Sequence, residues 1–322
     1  MNFALRFAEI ALVGLAGCLR GDAAAATIAV CEARWVDVSR SNREVPVRIR
    51  LPAGSGKVPL ILFSHGLGGS LDGGKDWVEH WADAGFAVIN LQHPGSDRSI
   101  VGTGGFLKAM NATQLEARAR DVSFVLDTLQ TKNRDGSCDL TRLDLDHIGM
   151  SGHSFGAHTT QAIAGQRYPG IDLSDRRVDA AIAFSPAPPA QGSAEVAFSG
   201  IRIPFFSVTG TEDKVILLPQ LTPELREVPF RTMPAGEKYL LVLKGADHMD
   251  MGGPDGDGSN RPLARLRRHG NSNAARERQF AAIVEHATTD FWRWTLLGDR
   301  AAKVRLDATA SHLPQGDRFA GK

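Results

Sequence analysis

The chain has 322 residues, 43% of them hydrophobic, which is enough for a sizeable core in one large α/β domain or two smaller ones. Its 37 lysines and arginines almost cancel its 36 aspartates and glutamates. No global field of one sign therefore marks it as a nucleic-acid binder, and small-molecule chemistry is the better expectation.

At the N-terminus Arg6 precedes the apolar run Ile10–Gly17, and Asp22–Ala26 offers small residues for a signal peptidase, so residues 1–26 read as an export signal. The run is too short to span a bilayer as a permanent helix. Within it, Leu15-Ala16-Gly17-Cys18 resembles a bacterial lipobox, in which Cys18 would be lipidated and hold the chain on a membrane surface. Soluble export, lipid anchoring and an uncleaved chain are the three readings. If Cys18 is removed or acylated, Cys31 and Cys138 remain, either as one disulfide or as two buried thiols.

Residues 27–322 read as a single domain. Ala33–Val38 and Val45–Arg50 alternate apolar and polar residues, as an antiparallel hairpin at a sheet edge would. From Val58 the pattern becomes strand then helix, repeated: strand Val58–Phe63, helix Lys75–Ala84, strand Phe86–Leu91, helix Thr113–Leu129, strand Asp146–Met150. In the longer helix Leu115, Val122, Leu126 and Leu129 form an apolar stripe. Strands Ala180–Phe184, Ile203–Val208 and Tyr239–Leu243 follow, and a helix over Ala274–Leu297 closes the pattern. This alternation predicts an α/β fold with a doubly wound, mostly parallel sheet and helices on both faces. The breaks at Pro186–Pro189 and Met251–Asn273 are too short for a large cap domain.

Gly152-His153-Ser154-Phe155-Gly156 matches G-x-S-x-G, and it follows an apolar strand and precedes a helix. Glycines on both sides of the serine remove Cβ atoms that would clash in a tight strand-to-helix turn. A second glycine-rich turn, Ser64-His65-Gly66-Leu67-Gly68, follows the strand ending at Phe63. It can aim the Leu67 N–H at a developing oxyanion, beside the N–H of Phe155.

A serine nucleophile needs a base, and the base a carboxylate. In a strand-turn-helix fold with this serine turn the chain order is serine, acid, histidine. His286 falls inside the closing helix, His312 in the polar tail and His269 in an arginine-rich loop, which leaves His248, just after a strand. Asp213 lies at the end of Thr209-Gly210-Thr211-Glu212-Asp213, past another strand, and is preferred over Glu212 and Asp247. His153 reads as a packed elbow residue and His65 as a shaper of the oxyanion turn. Trp77, Trp81 and Phe106 either line the cleft or, for the two tryptophans, pack helix against sheet. No spacing suggests a metal or a cofactor, and Asp255-Gly256-Asp257-Gly258 reads as a loop rather than a calcium site.

These segments, with Leu91-Gln92-His93-Pro94-Gly95-Ser96-Asp97, give the chain a resemblance to bacterial α/β-hydrolases grouped as predicted dienelactone hydrolases and the platelet-activating-factor acetylhydrolase type. The resemblance implies the α/β-hydrolase fold and ester hydrolysis. Two departures stand out: dienelactone hydrolases carry a cysteine where this chain has Ser154, and the animal acetylhydrolases place their acid after the strand that here ends Phe184-Ser185-Pro186. The resulting expectation is a carboxylic-ester hydrolase for short-to-medium acyl esters, with amidase or peptidase action, or binding without turnover, as alternatives. Arg261, Arg265, Arg267 and Arg268 form a basic loop near His248 that could meet anionic substrates or a membrane surface.

Overall fold

The computed structural model describes residues 28–215, 218–253 and 274–322. Residues 1–27, with the expected export signal and Cys18, the Asp255–Gly258 run and the Arg261–Arg268 stretch lie outside the described residues. Among those described, no helix is long and apolar enough to cross a membrane.

A nine-stranded sheet organises the chain. The edge hairpin β1 (Ala29–Asp37) and β2 (Arg43–Leu51) is antiparallel, and β2 continues antiparallel onto β4 (Ala87–Leu91). Next come β3 (Val58–Ser64), β7 (Leu143–His153), β8 (Ala180–Phe184), β9 (Phe205–Glu212) and β10 (Lys238–Asp247), all parallel from β4 onward. β11 (Arg318–Gly321) closes the far edge antiparallel to β10. The helices are α1 (Lys75–Asp83), α2 (Ala112–Thr131), α3 (Phe155–Ile163), α4 (Ala194–Phe198), α5 (Val228–Thr232), α6 (Ala274–Leu297) and α7 (Arg300–Asp307).

The central strands are apolar on both faces because helices cover both. In β3, Leu60 and Leu62 face one way and pack with Leu115, Val122, Leu126 and Leu129 of α2. Ile61 and Phe63 face the other way, toward Trp77 and Trp81 of α1 and Phe291 and Trp292 of α6. Gly149 sets the depth of α6 on the sheet: a Cβ there would lie 2.7 Å from Cζ3 of Trp292. Asn111 caps α2, its side chain accepting from the N–H of Gln114. This is the α/β-hydrolase fold, with no cap domain among the described residues.

The structure decides two readings that the sequence leaves open and adds elements that it does not predict. The tryptophans do not line the cleft: Trp77 and Trp81 are buried, both rings stack on Phe184, and their indole N–H groups donate to the Met251 carbonyl and the Thr288 hydroxyl. Their i,i+4 spacing on α1 turns both rings to the sheet. The tail after α7 supplies β11, and a small hairpin of β5 (Arg134–Asp135) and β6 (Cys138–Asp139) precedes β7. Cys31 and Cys138 are joined in a disulfide, which together with a 2.6 Å hydrogen bond from Trp35 to Asp135 ties this hairpin to the edge strand.

The disulfide closes a loop of 107 residues, so most of its effect falls on the entropy of the unfolded chain. Cys31→Ser with Cys138→Ser is expected to cost about 2–4 kcal/mol of stability, read as a lower urea midpoint. Unchanged midpoints for the oxidised native chain and the double variant would show that the cross-link contributes nothing.

Candidate active site

β7 ends at His153 and α3 begins at Phe155, so the whole reversal falls on Ser154, held at φ 56°, ψ −115°. A non-glycine residue with positive φ stores strain of roughly 1–3 kcal/mol. The position is locked by the Ser154 N–H, which donates to the Phe184 carbonyl at 3.0 Å. The flanking glycines are required by close approach rather than by φ. A Cβ on Gly152 would lie 2.8 Å from the Ser64 carbonyl oxygen, and one on Gly156 would collide with that same oxygen.

His248 and Asp213 reach the serine through strand register. β9 and β10 pair in parallel, with Glu212 opposite Asp247 after an irregularity beyond Leu243, so the next residue of each strand, Asp213 and His248, emerge side by side. His248 Nδ1 donates to Asp213 Oδ1 at 2.7 Å, and its Nε2 lies 2.9 Å from Ser154 Oγ. Asp213 is fully buried; its Oδ2 accepts from Thr209 Oγ1 at 2.7 Å, and the buried Arg226 guanidinium lies 3.5 Å from Oδ1. Burial would raise the Asp213 pKa, but the hydrogen bond and charge of His248, the charge of Arg226 and the Thr209 hydroxyl outweigh it and hold the carboxyl well below the usual carboxylate range. Asp247 is occupied in the following turn, accepting from the N–H groups of Met249 and Asp250.

The loop after β3 comes up against the serine: a Cβ on Gly66 would lie 3.4 Å from Ser154 Cβ. Among the described residues neither the Leu67 N–H nor the Phe155 N–H has an acceptor, and both belong to segments that touch Ser154. His65 shapes this loop, its Nδ1 donating to the Gly66 carbonyl at 2.6 Å and its Nε2 accepting from the His93 N–H at 3.0 Å. His153 is an anchor: its Nε2 donates to the His248 carbonyl at 2.9 Å, with the two rings 4.8 Å apart. Phe106 and Val101 lie over Gly68 on the outer side of the loop.

Behind the loop is a second Ser-His-Asp line that the sequence reading did not single out. Ser64 Oγ meets His93 Nε2 at 2.9 Å, and His93 Nδ1 donates to Asp121 Oδ2 at 3.0 Å. All three side chains are sealed from solvent, and Asp121 also receives Arg40 and Arg43. The available signal was Arg118 and Asp121 in the apolar stripe of α2, three residues apart between Leu115 and Val122.

No protein-family model matches the chain, and no curated protein does. Among solved structures it is similar to a ferulic acid esterase from Streptomyces cinnamoneus, at 20% identity over 87% of this chain and 93% of that one, with a TM-score of 0.57. It is also similar to 2,6-dihydroxy-pseudo-oxynicotine hydrolase, at 16% identity over 83% of this chain and 68% of that one, with a TM-score of 0.53. At these identities the likeness is one of fold.

Four histidines around the site are kept neutral, chiefly by burial: His65 well below its ordinary 6.5, His93 and His158 pulled to about 4, and His153 to about 3. In the unfolded chain they would protonate near 6.5. The unfolded state therefore binds more protons below that pH, and the stability present above pH 6.5 is lost as pH falls toward 4. Unfolding near pH 5 is expected to take up roughly one proton per histidine, measured as the pH dependence of the urea midpoint or by calorimetry in buffers of different ionisation enthalpy. An uptake below one proton in total would mean that these rings are already charged in the folded chain.

Proposed function

We propose that this chain is a serine hydrolase that cleaves carboxylic esters of short-to-medium acyl chain length through an acyl-Ser154 intermediate. The observation that carries the reading is the unbroken line Asp213–His248–Ser154, with separations of 2.7 and 2.9 Å. It ends beside two N–H groups without acceptors.

The geometry suits the following sequence of steps. As Ser154 Oγ attacks the ester carbonyl, its proton passes to His248 Nε2, and Asp213 stabilises the imidazolium that forms. The carbonyl oxygen becomes an oxyanion and takes the hydrogen bonds of Leu67 and Phe155. Collapse expels the alcohol, which receives its proton from Nε2, and water then releases the acid by the same groups. Val101 and Phe106, which pack on the Gly68 turn, would give a carbon chain reaching that turn apolar contacts. A solved neighbour that is an esterase is in keeping with this reading.

Kinship with the predicted dienelactone hydrolases and acetylhydrolase-type proteins belongs to the same proposal. It draws support from the convergence of the segments that carry the resemblance: the Gly68 N–H donates to the Ser96 carbonyl, Gly66 abuts Ser154, and His248 bridges Ser154 and Asp213. Export is likewise a proposal, supported by the Cys31–Cys138 disulfide, since such bonds persist in oxidising compartments.

Ser154→Ala should lower kcat for a p-nitrophenyl ester by at least about a thousandfold while preserving the fold. A panel of esters from acetate to palmitate, with a peptide amide alongside, reads the acyl preference; faster cleavage of the amide would replace the esterase reading with an amidase. Asp213→Asn is expected to cost on the order of ten-thousandfold at neutral pH, and Asp247→Asn far less. Equal losses would move the acid role away from Asp213.

A further inference from the structure

Arg118 is fully buried in the middle of α2, in a stripe that otherwise faces the core. A buried guanidinium with unmet donors is costly, so its partners show what holds it there. Nη2 donates to the carbonyl of His65, the residue that opens the Leu67 loop. Nη1 donates to Ser96 Oγ at 3.0 Å, and the Ser96 carbonyl accepts the Gly68 N–H at 2.9 Å. Nε donates to Thr159 Oγ1 at 2.9 Å, and that hydroxyl donates in turn to the Phe155 carbonyl at 3.1 Å. The guanidinium also sits 4.7 Å from the centroid of the Phe155 ring.

Leu67 is thus bracketed on both sides, through His65 and Gly68, and Phe155 is held by its ring and by its carbonyl. One planar, rigid fork joins two segments that are 88 residues apart in sequence, counting from Leu67 to Phe155 (155 − 67). We propose that Arg118 is the positioning residue of the oxyanion hole, fixing the Leu67 and Phe155 N–H groups relative to each other by gripping the segments that carry them. The proposal rests on reading those two N–H groups as the oxyanion donors. Burial draws the Arg118 pKa down to about 9, opposed by Asp121 and Asp97, so the side chain is cationic at neutral pH and adds positive potential behind the hole.

Arg118→Met keeps an unbranched apolar stem reaching to about the position of Nε and removes the fork. Active-site titration with a fluorophosphonate counts the competent Ser154 sites, so kcat is measured per site and loss of folded protein is factored out. Expected is a fall in per-site kcat of about a hundredfold with KM changed less than about threefold, because displaced donors act on the transition state more than on bound ester. Affinity for a trifluoromethyl ketone, whose adduct carries the oxyanion, should fall by the same factor as kcat/KM. A variant with native per-site kcat and ketone affinity overturns the role of Arg118 and leaves the esterase reading intact. A native chain that takes no fluorophosphonate at Ser154 overturns the esterase reading and this proposal with it. If Arg118→Met does not fold, Thr159→Val carries the test. It removes the hydroxyl that joins the fork to the Phe155 carbonyl, leaves the contact with the Phe155 ring, and should lower ketone affinity about tenfold at constant KM; unchanged affinity rejects the proposal.

Discussion

Everything at this site depends on contact between two backbones, the end of β3 and the first turn of α3. Gly156 has no room for a Cβ because the Ser64 carbonyl occupies the space, and Gly152 has none because the Gly156 backbone and that same carbonyl do. Only with that approach can α3 start directly over the sheet and leave Ser154 as the entire turn, at a φ that serine rarely adopts. The chain leaving β3 must then rise past the serine, so the Leu67 loop touches Ser154 without any long-range search for it. Strain at one residue is offset by the bonds around it, including the Ser154 N–H to Phe184 and the Ala157 N–H to Ser154.

The other half of the site follows from register. Parallel pairing carries Glu212 and Asp247 to the same height, and the positions after them inherit that proximity. The irregularity beyond Leu243 needs space, which Gly210 provides where a side chain would strike the Ala246 carbonyl. A carboxylate buried this deeply would be expensive if alone. Asp213 is stabilised by Thr209 and His248 and faces Arg226, whose Nη1 is itself committed to the Ser185 and Pro186 carbonyls. Asp213 is therefore clamped from its own strand end, from His248 and from Arg226, which the segment beyond β8 holds in turn.

Most of the sheet is readable from sequence because continuous apolar runs bounded by turn residues have few alternatives when they alternate with amphipathic helices. The G-x-S-x-G turn and the two strand-end residues Asp213 and His248 stand out for a related reason: in this fold, position along the chain implies position in space. β11 is not visible, since Arg318-Phe319-Ala320-Gly321 is four residues with one large apolar side chain, and its pairing depends on where α7 releases the chain. The pairing of Cys31 with Cys138 depends on the β5–β6 hairpin reaching the edge strand, a tertiary event that no local pattern encodes. Trp77 and Trp81 were ambiguous because burial and cleft lining ask for the same residue type. Arg118 was hidden by its setting, as a charged residue in an apolar stripe becomes legible only once its acceptors, which lie on other elements, are in place.

The two Ser-His-Asp lines show why residue type and spacing are not enough to define a nucleophile. Ser64–His93–Asp121 has hydrogen-bond lengths close to those of Ser154–His248–Asp213. Ser64, however, ends a regular strand with its hydroxyl sealed from solvent, and Asp121 divides its charge among His93, Arg40 and Arg43. Burial pulls the His93 pKa to about 4, with the charge of Arg118 acting in the same direction. With all three side chains fully buried, this line packs as structure. Its place is below the Leu67 loop, where His93 also gives its N–H to His65. The buried line therefore acts as a floor beneath the one that holds Ser154, and the same three residue types are either sealed as a brace or, at the strained turn of Ser154, left part-open to solvent.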